Sequence, residues 1–198
     1  GAELYGYQGI EGDIEVIELM AASLSLIGIE DITLSFGNTA IFNALCESAE
    51  LNNQDIASLR DIFRRKSIPD LTDFFDSKEI NHADKFHSLI SLDGDERILD
   101  KAAKIYKEFP TVIDAIKDLK KLHSFFKDSN LSLMFDLGEV KAYEYHNGLV
   151  FAAYHLNFSK ALAQGGRYNS LSESFGSSRD ATGFSFDLKF LIQQQLSS

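Results

Sequence analysis

The chain has 198 residues and 44% hydrophobic content, which is enough to bury the core of one domain. Its formal net charge of −11 leaves no overall positive field, so nucleic acid is not an expected partner, since its binding depends on lysine and arginine contacts to phosphate. No apolar run approaches the roughly 20 residues that cross a bilayer, and no charged segment precedes an apolar one, so we expect a soluble, cytoplasmic protein without membrane contact.

The first predicted elements are a strand, a helix and a second strand. Residues Glu3–Tyr7 alternate polar and apolar side chains, which indicates a half-buried strand that the following glycines end. Apolar residues at helical spacing then predict a helix with Asp13 as its N-cap and Gly28 in the left-handed position after its end. Asp31–Phe36 is predicted as the second strand.

Residues 38–130 are helical in pattern almost throughout, which predicts an all-helical insertion. The predicted helices are Thr39–Glu50, Gln54–Lys66, Leu71–Phe75, Lys78–Leu92, Glu96–Tyr106 and Thr111–Lys127. Pro69 and Pro110 fall between helices and mark boundaries, because proline lacks the N–H that an ongoing helix needs. Cys46, the single cysteine, excludes an intrachain disulfide and is expected to be a buried structural residue.

Strand patterns return after residue 130, and helical patterns end the chain. The predicted strands are Leu131–Leu137, Val140–Tyr145, Leu149–Leu156 and Lys160–Gln164. Asn147 and Gly148 tolerate positive φ and predict a hairpin turn, while Gly165 and Gly166 predict a turn after the last strand. Helices are predicted over Tyr168–Phe175 and Phe184–Leu196. Strands at both ends of the chain with a helical block between them predict an α+β fold.

Three motifs in the C-terminal part carry a family resemblance: the aromatic and histidine-rich stretch Lys141–Gly148, the Gly-Gly-Arg-Tyr stretch Gly165–Tyr168, and the segment Gly183–Leu191. In this order they resemble the C-terminal half of the histidyl-tRNA synthetase catalytic core. The closer resemblance is to the synthetase-like regulatory subunit of ATP phosphoribosyltransferase, a family without aminoacylation activity. The resemblance implies an antiparallel sheet of the class II aminoacyl-tRNA synthetase type with flanking helices. Residues 1–37 and 131–198 are then the synthetase-like half, and 38–130 the insertion.

The resemblance also implies a histidine-like pocket on the sheet. The synthetases have a glutamate at the place of Glu3 and tyrosines at the places of His146 and Tyr168, all close to the imidazole of histidine. A carboxylate facing an imidazole N–H beside a tyrosine suits recognition of a small planar polar ring. Two alternatives stay open: Glu3 pointing to solvent from an edge strand, and Arg167 fastening its turn to a neighbouring carboxylate. The candidate ligand-binding residues are Glu3, Lys141, Tyr143, His146, Gly165, Gly166, Arg167 and Tyr168.

The positions that handle ATP in the synthetases are altered. Lys141 stands where they carry an arginine that steadies the carboxylate and α-phosphate, and lysine lacks the planar bidentate fork. Asp187 replaces a glycine and adds negative charge, and Phe190 replaces the arginine that binds the γ-phosphate. The sequence therefore predicts no catalytic residues, no cofactor and no metal site.

We therefore expect a regulatory subunit that activates a short ATP phosphoribosyltransferase catalytic subunit and permits histidine feedback in the first step of histidine biosynthesis. The expected partners are that catalytic subunit in a hetero-oligomer, histidine as an effector in the pocket or at a subunit interface, and further copies of the chain. The alternatives are a histidyl-tRNA synthetase fragment that activates histidine with ATP, and a scaffold without a ligand. Because the chain opens on a strand pattern with no initiating methionine, we expect a C-terminal fragment.

Overall fold

One mixed sheet joins the two ends of the chain. The computed structural model describes residues 1–140, 146–168 and 180–195, with backbone alone at 146–147 and 193–195. The strands are β1 Ala2–Tyr5, β2 Thr33–Asn38, β3 Asp93–Gly94, β4 Ser132–Asp136, β5 His146–Tyr154, β6 Ala163–Tyr168 and β7 Ala181–Phe186. Their order in the described sheet is β1-β7-β6-β5-β2-β4-β3. The α+β class is confirmed, but the sheet is not wholly antiparallel, because β2 and β4 pair in parallel across the helical crossover between them.

The helices mostly follow the predicted boundaries. They are α1 Ile10–Leu26, α2 Thr39–Ser48, α3 Asn53–Arg65, α4 Ile68–Asp76, α5 Ala83–Leu89, α6 Arg97–Ile105, α7 Pro110–Phe126 and α8 Leu188–Gln195. The side chains of Asn38 and Asn52 cap α2 and α3, and prolines occupy the first turns of α4 and α7, as their boundary role predicts. The helix predicted from Lys78 begins only at Ala83, because His82 has a left-handed φ of 64° that interrupts the helical backbone.

Helix α1 begins earlier than predicted. Its N-cap is Gly9, and Asp13 lies inside the first turn with 2% of its surface exposed, so the prediction of Asp13 as N-cap is wrong. An ion pair with Arg167, described below, holds this carboxylate inside the protein. The other end is as predicted: Gly28 has a φ of +79° and donates its N–H to the carbonyl oxygen of Ser25 at 2.8 Å.

The hydrophobic core is continuous between the sheet and the helical segment 38–130. Phe36 of β2 packs against Phe126 of α7 and Phe135 of β4, with ring centroids 6.2 and 5.8 Å apart. The segment also contributes β3, which pairs with the edge of β4, so it is not purely helical. Its separation as an insertion stays a prediction about domain organisation. Cys46 is buried, as predicted.

Glycines that were expected to mark turns or a helix start lie within strands. Gly148 is inside β5, Gly165 and Gly166 are inside β6, and Gly183 is inside β7. The hairpin turn predicted at Asn147-Gly148 and the turn predicted at Gly165-Gly166 are therefore wrong, and the last predicted helix begins at Leu188 rather than at Phe184. Strand β6 also begins at Ala163 rather than Lys160. Residues 141–145 of one predicted strand and 169–175 of one predicted helix lie outside the described residues.

Close packing explains these strand glycines. A Cβ atom on Gly165 would lie 2.1 Å from the carbonyl oxygen of Gly183 and 2.7 Å from the ring of Phe151. A Cβ atom on Gly183 would lie 2.7 Å from Cγ of Glu3. The missing side chains let adjacent backbone and side chains approach, so tertiary packing overrides the usual association of glycine with turns.

Replacing Gly165 by alanine is expected to lower the free energy of unfolding by about 1–3 kcal/mol, because a backbone oxygen stands where the new methyl group would lie. Denaturant unfolding measures the change. Gly148→Ala is the matched control, since its nearest neighbour is the Arg167 side chain at 3.6 Å, an ordinary contact. Equal stabilities of the two variants would contradict the packing explanation.

Candidate functional site

Cross-strand register divides the candidate residues between the two faces of the sheet. Directly opposed residues share a face, so Glu3, Gly183, Gly166 and Val150 form one row. The adjacent row on the same face is Tyr5, Ala181, Tyr168 and His146. We call this the open face, because it also carries the exposed side chains of Gln164 and Ser185. Gly165 pairs with the buried Phe151 and Phe184, which places it and Arg167 on the opposite, covered face.

Glu3, Tyr5 and Tyr168 form a tyrosine–carboxylate cluster on the open face. The Tyr5 hydroxyl donates to Oε2 of Glu3. Tyr168 is 7% exposed, and its burial, followed by its hydrogen bond with Tyr5 and the negative charge of Glu3, raises its pKa above the ordinary value of 10.0. The phenol therefore stays protonated at neutral pH. The two phenols donate within the cluster, and the carboxylate can accept a further hydrogen bond, which suits a ring or amine bearing N–H groups.

Tyr5 is the member of this cluster that sequence reasoning missed. A signal was present, because side chains two residues apart on a strand lie on the same face and Glu3 was already a candidate. The sequence cannot show that Tyr168 lies two strands away from Tyr5, which only the register reveals.

Glycines form the floor of the open face beside the cluster. The side chain of Glu3 lies across Gly183, with Cγ 2.7 Å from the position that a Cβ would take. Gly166 follows in the same row, and neither residue places a side chain above the backbone. Both glycines are buried, so the side chain of Glu3 packs directly on the backbone of this strip.

Arg167 contacts the connection between β1 and α1 on the covered face. Its Nε donates to Oδ2 of Asp13 at 3.1 Å, Nη1 donates to the carbonyl oxygen of Tyr7 at 2.8 Å, and Nη2 donates to that of Gly9 at 2.8 Å. Only 13% of the Arg167 side chain is exposed, against 2% for Asp13. This arginine fastens a neighbouring carboxylate, although the carboxylate belongs to α1. A ligand contact for Arg167 stays a prediction.

Asp13 is an ionisable group held in an apolar setting. Burial raises its pKa above the ordinary 3.8, while the nearby hydroxyl of Thr182 and the guanidinium of Arg167 act to lower it. Oδ1 of Asp13 and Oγ1 of Thr182 are buried, and neither reaches normal hydrogen-bond geometry with any described residue. The desolvation effect is therefore only partly offset.

The remaining candidate residues are only partly described. Lys141 and Tyr143 lie outside the described residues, and the backbone of His146 pairs with Tyr168 at the end of β5. Roles for these three side chains in ligand binding stay predictions.

Asp187 and Phe190, which stand at altered ATP positions by resemblance, have structural contacts. Oδ1 of Asp187 accepts the backbone N–H of Phe190 at 3.0 Å, which caps the first turn of α8. The ring of Phe190 is partly buried and packs against Phe158 with centroids 6.2 Å apart. Neither contact provides a cation for phosphate.

Metal binding, membrane insertion and thiol catalysis find little support in the part of the chain that the structure describes. No three histidine, cysteine, aspartate or glutamate side chains there are grouped to hold a metal ion. None of the helices in the described ranges is long and apolar enough to cross a bilayer. Burial raises the pKa of Cys46 to about 12, so its thiol is protonated and a poor nucleophile.

Comparison with known proteins assigns the chain to a family. The model of the histidyl-tRNA synthetase family matches residues 1–191, and the chain belongs to that family. Within it, the chain is 38% identical over 197 residues to the ATP phosphoribosyltransferase regulatory subunit of Pseudomonas fluorescens, covering 97% of this chain and 49% of that protein. The chain thus spans about half the length of the curated relatives it matches. The resemblance drawn from the motifs is confirmed.

Solved structures confirm the synthetase-type fold. One from Bacillus halodurans, described as an ATP phosphoribosyltransferase regulatory subunit/histidyl-tRNA synthetase, matches with a TM-score of 0.85 and 27% identity, over 96% of this chain and 51% of that one. The ATP phosphoribosyl transferase (HisG:HisZ) complex from Thermotoga maritima contains a chain that matches with a TM-score of 0.71 and 19% identity, over 93% of this chain and 64% of that one. The second likeness concerns the fold alone.

Proposed function

We propose that the protein is a non-catalytic regulatory subunit of ATP phosphoribosyltransferase. In this role it activates a short catalytic subunit and makes the first step of histidine biosynthesis sensitive to histidine. The observation that carries the proposal is the 38% identity to a regulatory subunit over nearly the whole chain. The open face supports it, because the tyrosine–carboxylate cluster is intact while Asp187 and Phe190 serve helix capping and apolar packing.

The proposed partner is the catalytic subunit, in a hetero-oligomer that also contains further copies of this chain. The complex from Thermotoga maritima supports this choice, since a chain of the same fold occurs in an ATP phosphoribosyl transferase assembly there. A cytoplasmic location is part of the same proposal, as a regulatory subunit would meet its catalytic subunit there.

The proposed effector site is the open face, and the proposed effector is histidine. Glu3 would accept an N–H of the imidazole, Tyr168 would line the ring, and Gly166 would lie beside it on the same face. Lys141 and His146 are proposed to complete the site from the neighbouring segment. Histidine alters catalysis only to the extent that it binds two states of the assembly unequally, so the site acts as a switch.

The competing function is histidine activation with ATP by a histidyl-tRNA synthetase. This chemistry needs cations at the transferring phosphates. The side chain at position 190 is a phenyl ring packed on Phe158, and the carboxylate of Asp187 adds repulsion nearby. Both features disfavour the enzyme.

The full-length protein decides between the two functions when assayed with and without the short catalytic subunit. We expect the catalytic subunit to gain activity and histidine sensitivity on mixing, and we expect no histidine-dependent ATP–pyrophosphate exchange by the full-length protein. Measured exchange above background would overturn the proposal. If the catalytic subunit is activated but calorimetry shows no histidine binding, alone or in the complex, the protein is a scaffold without an effector site.

A further inference from the structure

Two consecutive residues of β6 hold the β1 region from opposite faces of the sheet. Tyr168 meets Tyr5 and Glu3 on the open face. Arg167, pointing the other way, holds the carbonyl oxygens of Tyr7 and Gly9 on the covered face, at 2.8 Å each. Neither contact is local in sequence, since the Arg167 bonds to the connection span 160 and 158 residues.

We propose that Arg167 is a positioning residue for the open-face site: it fixes the β1–α1 connection so that Glu3 and Tyr5 stay opposite Tyr168. This role, exerted from the covered face, replaces the ligand contact that the sequence predicted for Arg167. The inference rests on the proposed function, because it assumes that the tyrosine–carboxylate cluster binds an effector, but it assigns a separate task to a residue on the far side of the sheet.

Strand β1 is short, and its Ala2 and Leu4 side chains pack against the core. In the described sheet it has one neighbour, β7, and it is four residues long. Gly6 then turns the chain with a φ of +81° and donates to the carbonyl oxygen of Asp180 at 2.7 Å. The next anchors along the chain are the two carbonyls that Arg167 holds. Binding groups lose effectiveness when misplaced by about 1 Å, so an anchor two residues after Tyr5 governs the geometry of the cluster.

The anchor depends on the shape of arginine as well as its charge. Three acceptors lie in different directions around the guanidinium: the Asp13 carboxylate and the carbonyl oxygens of Tyr7 and Gly9. A planar fork with five N–H donors reaches all three, whereas a lysine carries its three N–H donors on one atom and cannot span acceptors arranged around a guanidinium. Arg167→Lys therefore keeps the buried charge paired while it releases the connection.

The test compares variants of the full-length protein in complex with the catalytic subunit, with histidine inhibition as the readout. We expect Arg167→Lys to raise the half-inhibiting histidine concentration by about 10-fold, the change that 1.4 kcal/mol of lost binding produces. Arg60→Lys is the matched control, since Arg60 also holds a neighbour, the Asn43 side chain at 2.8 Å, but lies in the helical segment. We expect the control to respond like the wild type.

A double-mutant cycle distinguishes positioning from general destabilisation. If Arg167 acts through Glu3, Arg167→Lys should weaken histidine inhibition much less in a Glu3→Gln background than alone. Independent effects that multiply would overturn the inference. Gly6→Ala strains the same connection without disturbing a buried charge, and it should also raise the half-inhibiting concentration, which keeps the test open if Arg167→Lys does not fold.

The proposed function and this inference fail in different ways. A wild-type complex that histidine does not inhibit would overturn both. Inhibition that weakens with Glu3→Gln but stays within twofold of wild type with folded Arg167→Lys and with Gly6→Ala would overturn the positioning role alone.

Discussion

Replacing Glu3 by glutamine is expected to raise the histidine concentration that half-inhibits the complex by about 10- to 100-fold. Glutamine keeps the shape and one acceptor oxygen but removes the negative charge, and hydrogen bonds to charged groups contribute about 1.5–3 kcal/mol. The change also weakens the hydrogen bond that the Tyr5 hydroxyl donates to Glu3, because a neutral amide is a weaker acceptor than a carboxylate. Inhibition curves of the full-length protein with its catalytic subunit give the shift directly.

Glu15→Gln provides the matched control for this experiment. Glu15 is an exposed glutamate of α1, so its replacement makes the same change in net charge away from the open face. We expect its inhibition curve to overlay that of the wild type. Inhibition unaltered by Glu3→Gln would place the effector elsewhere, with a subunit interface as the leading alternative.

Replacing Asp13 by alanine is expected to lower the free energy of unfolding by about 3–5 kcal/mol, because it leaves the Arg167 guanidinium buried without its counter-charge. The pair has an Nη2–Oδ2 distance of 3.0 Å and is almost wholly screened from water. Since domains of this kind have total stabilities of about 5–15 kcal/mol, the loss should be plain in a urea titration.

An exposed ion pair serves as the control for that loss. Asp114→Ala breaks the contact with Lys117, whose side chain is 63% exposed, and should cost at most about 1 kcal/mol. Comparable destabilisation by the two substitutions would contradict the role of burial. A double variant Asp13→Ala, Arg167→Met should be more stable than Asp13→Ala alone, since it removes the unpaired charge.

The raised pKa of Asp13 predicts how its contribution to the free energy of unfolding changes with pH. Burial raises the pKa of Asp13 above 3.8, so the folded state holds its proton more tightly than the unfolded state does. The contribution of this group to stability therefore falls as pH rises from about 3.8 through the folded pKa. We expect the unfolding free energy of wild type minus that of Asp13→Asn to decrease over this window and to level off above it. An increase would refute the raised pKa.

Helical elements could be predicted from the sequence because their signals are local. The apolar spacing, the capping asparagine Asn38 and the boundary proline Pro110 lie within one or two turns of the elements they define. Burial of Cys46 followed from the same helical pattern. The class of fold followed from the order of elements, and the family from motifs that lie along a single stretch of chain.

The details of the site depend on contacts between distant segments. Gly165 and Gly183 carry turn and helix-start signals, but the tight contact between their strands decides their structure. The Arg167–Asp13 pair joins residues 154 positions apart, so no spacing rule identifies Asp13 as its partner. An aspartate at a helix start looks like a cap in sequence and becomes a buried anion only when β6 places a guanidinium beside it.

Strand β1 pairs in the described sheet only with β7, which lies near the other end of the chain. Its ladder joins segments that are far apart in sequence, so a long loop must close before it forms, and short, sparsely paired segments open readily in native-state hydrogen exchange. We expect the amides of Leu4 and Tyr5 to exchange faster than those of β5 and β2 at the centre of the sheet. Glu3 lies on this short strand, so effector binding and the ordering of the strand would be one thermodynamic event, and saturating histidine should slow that exchange.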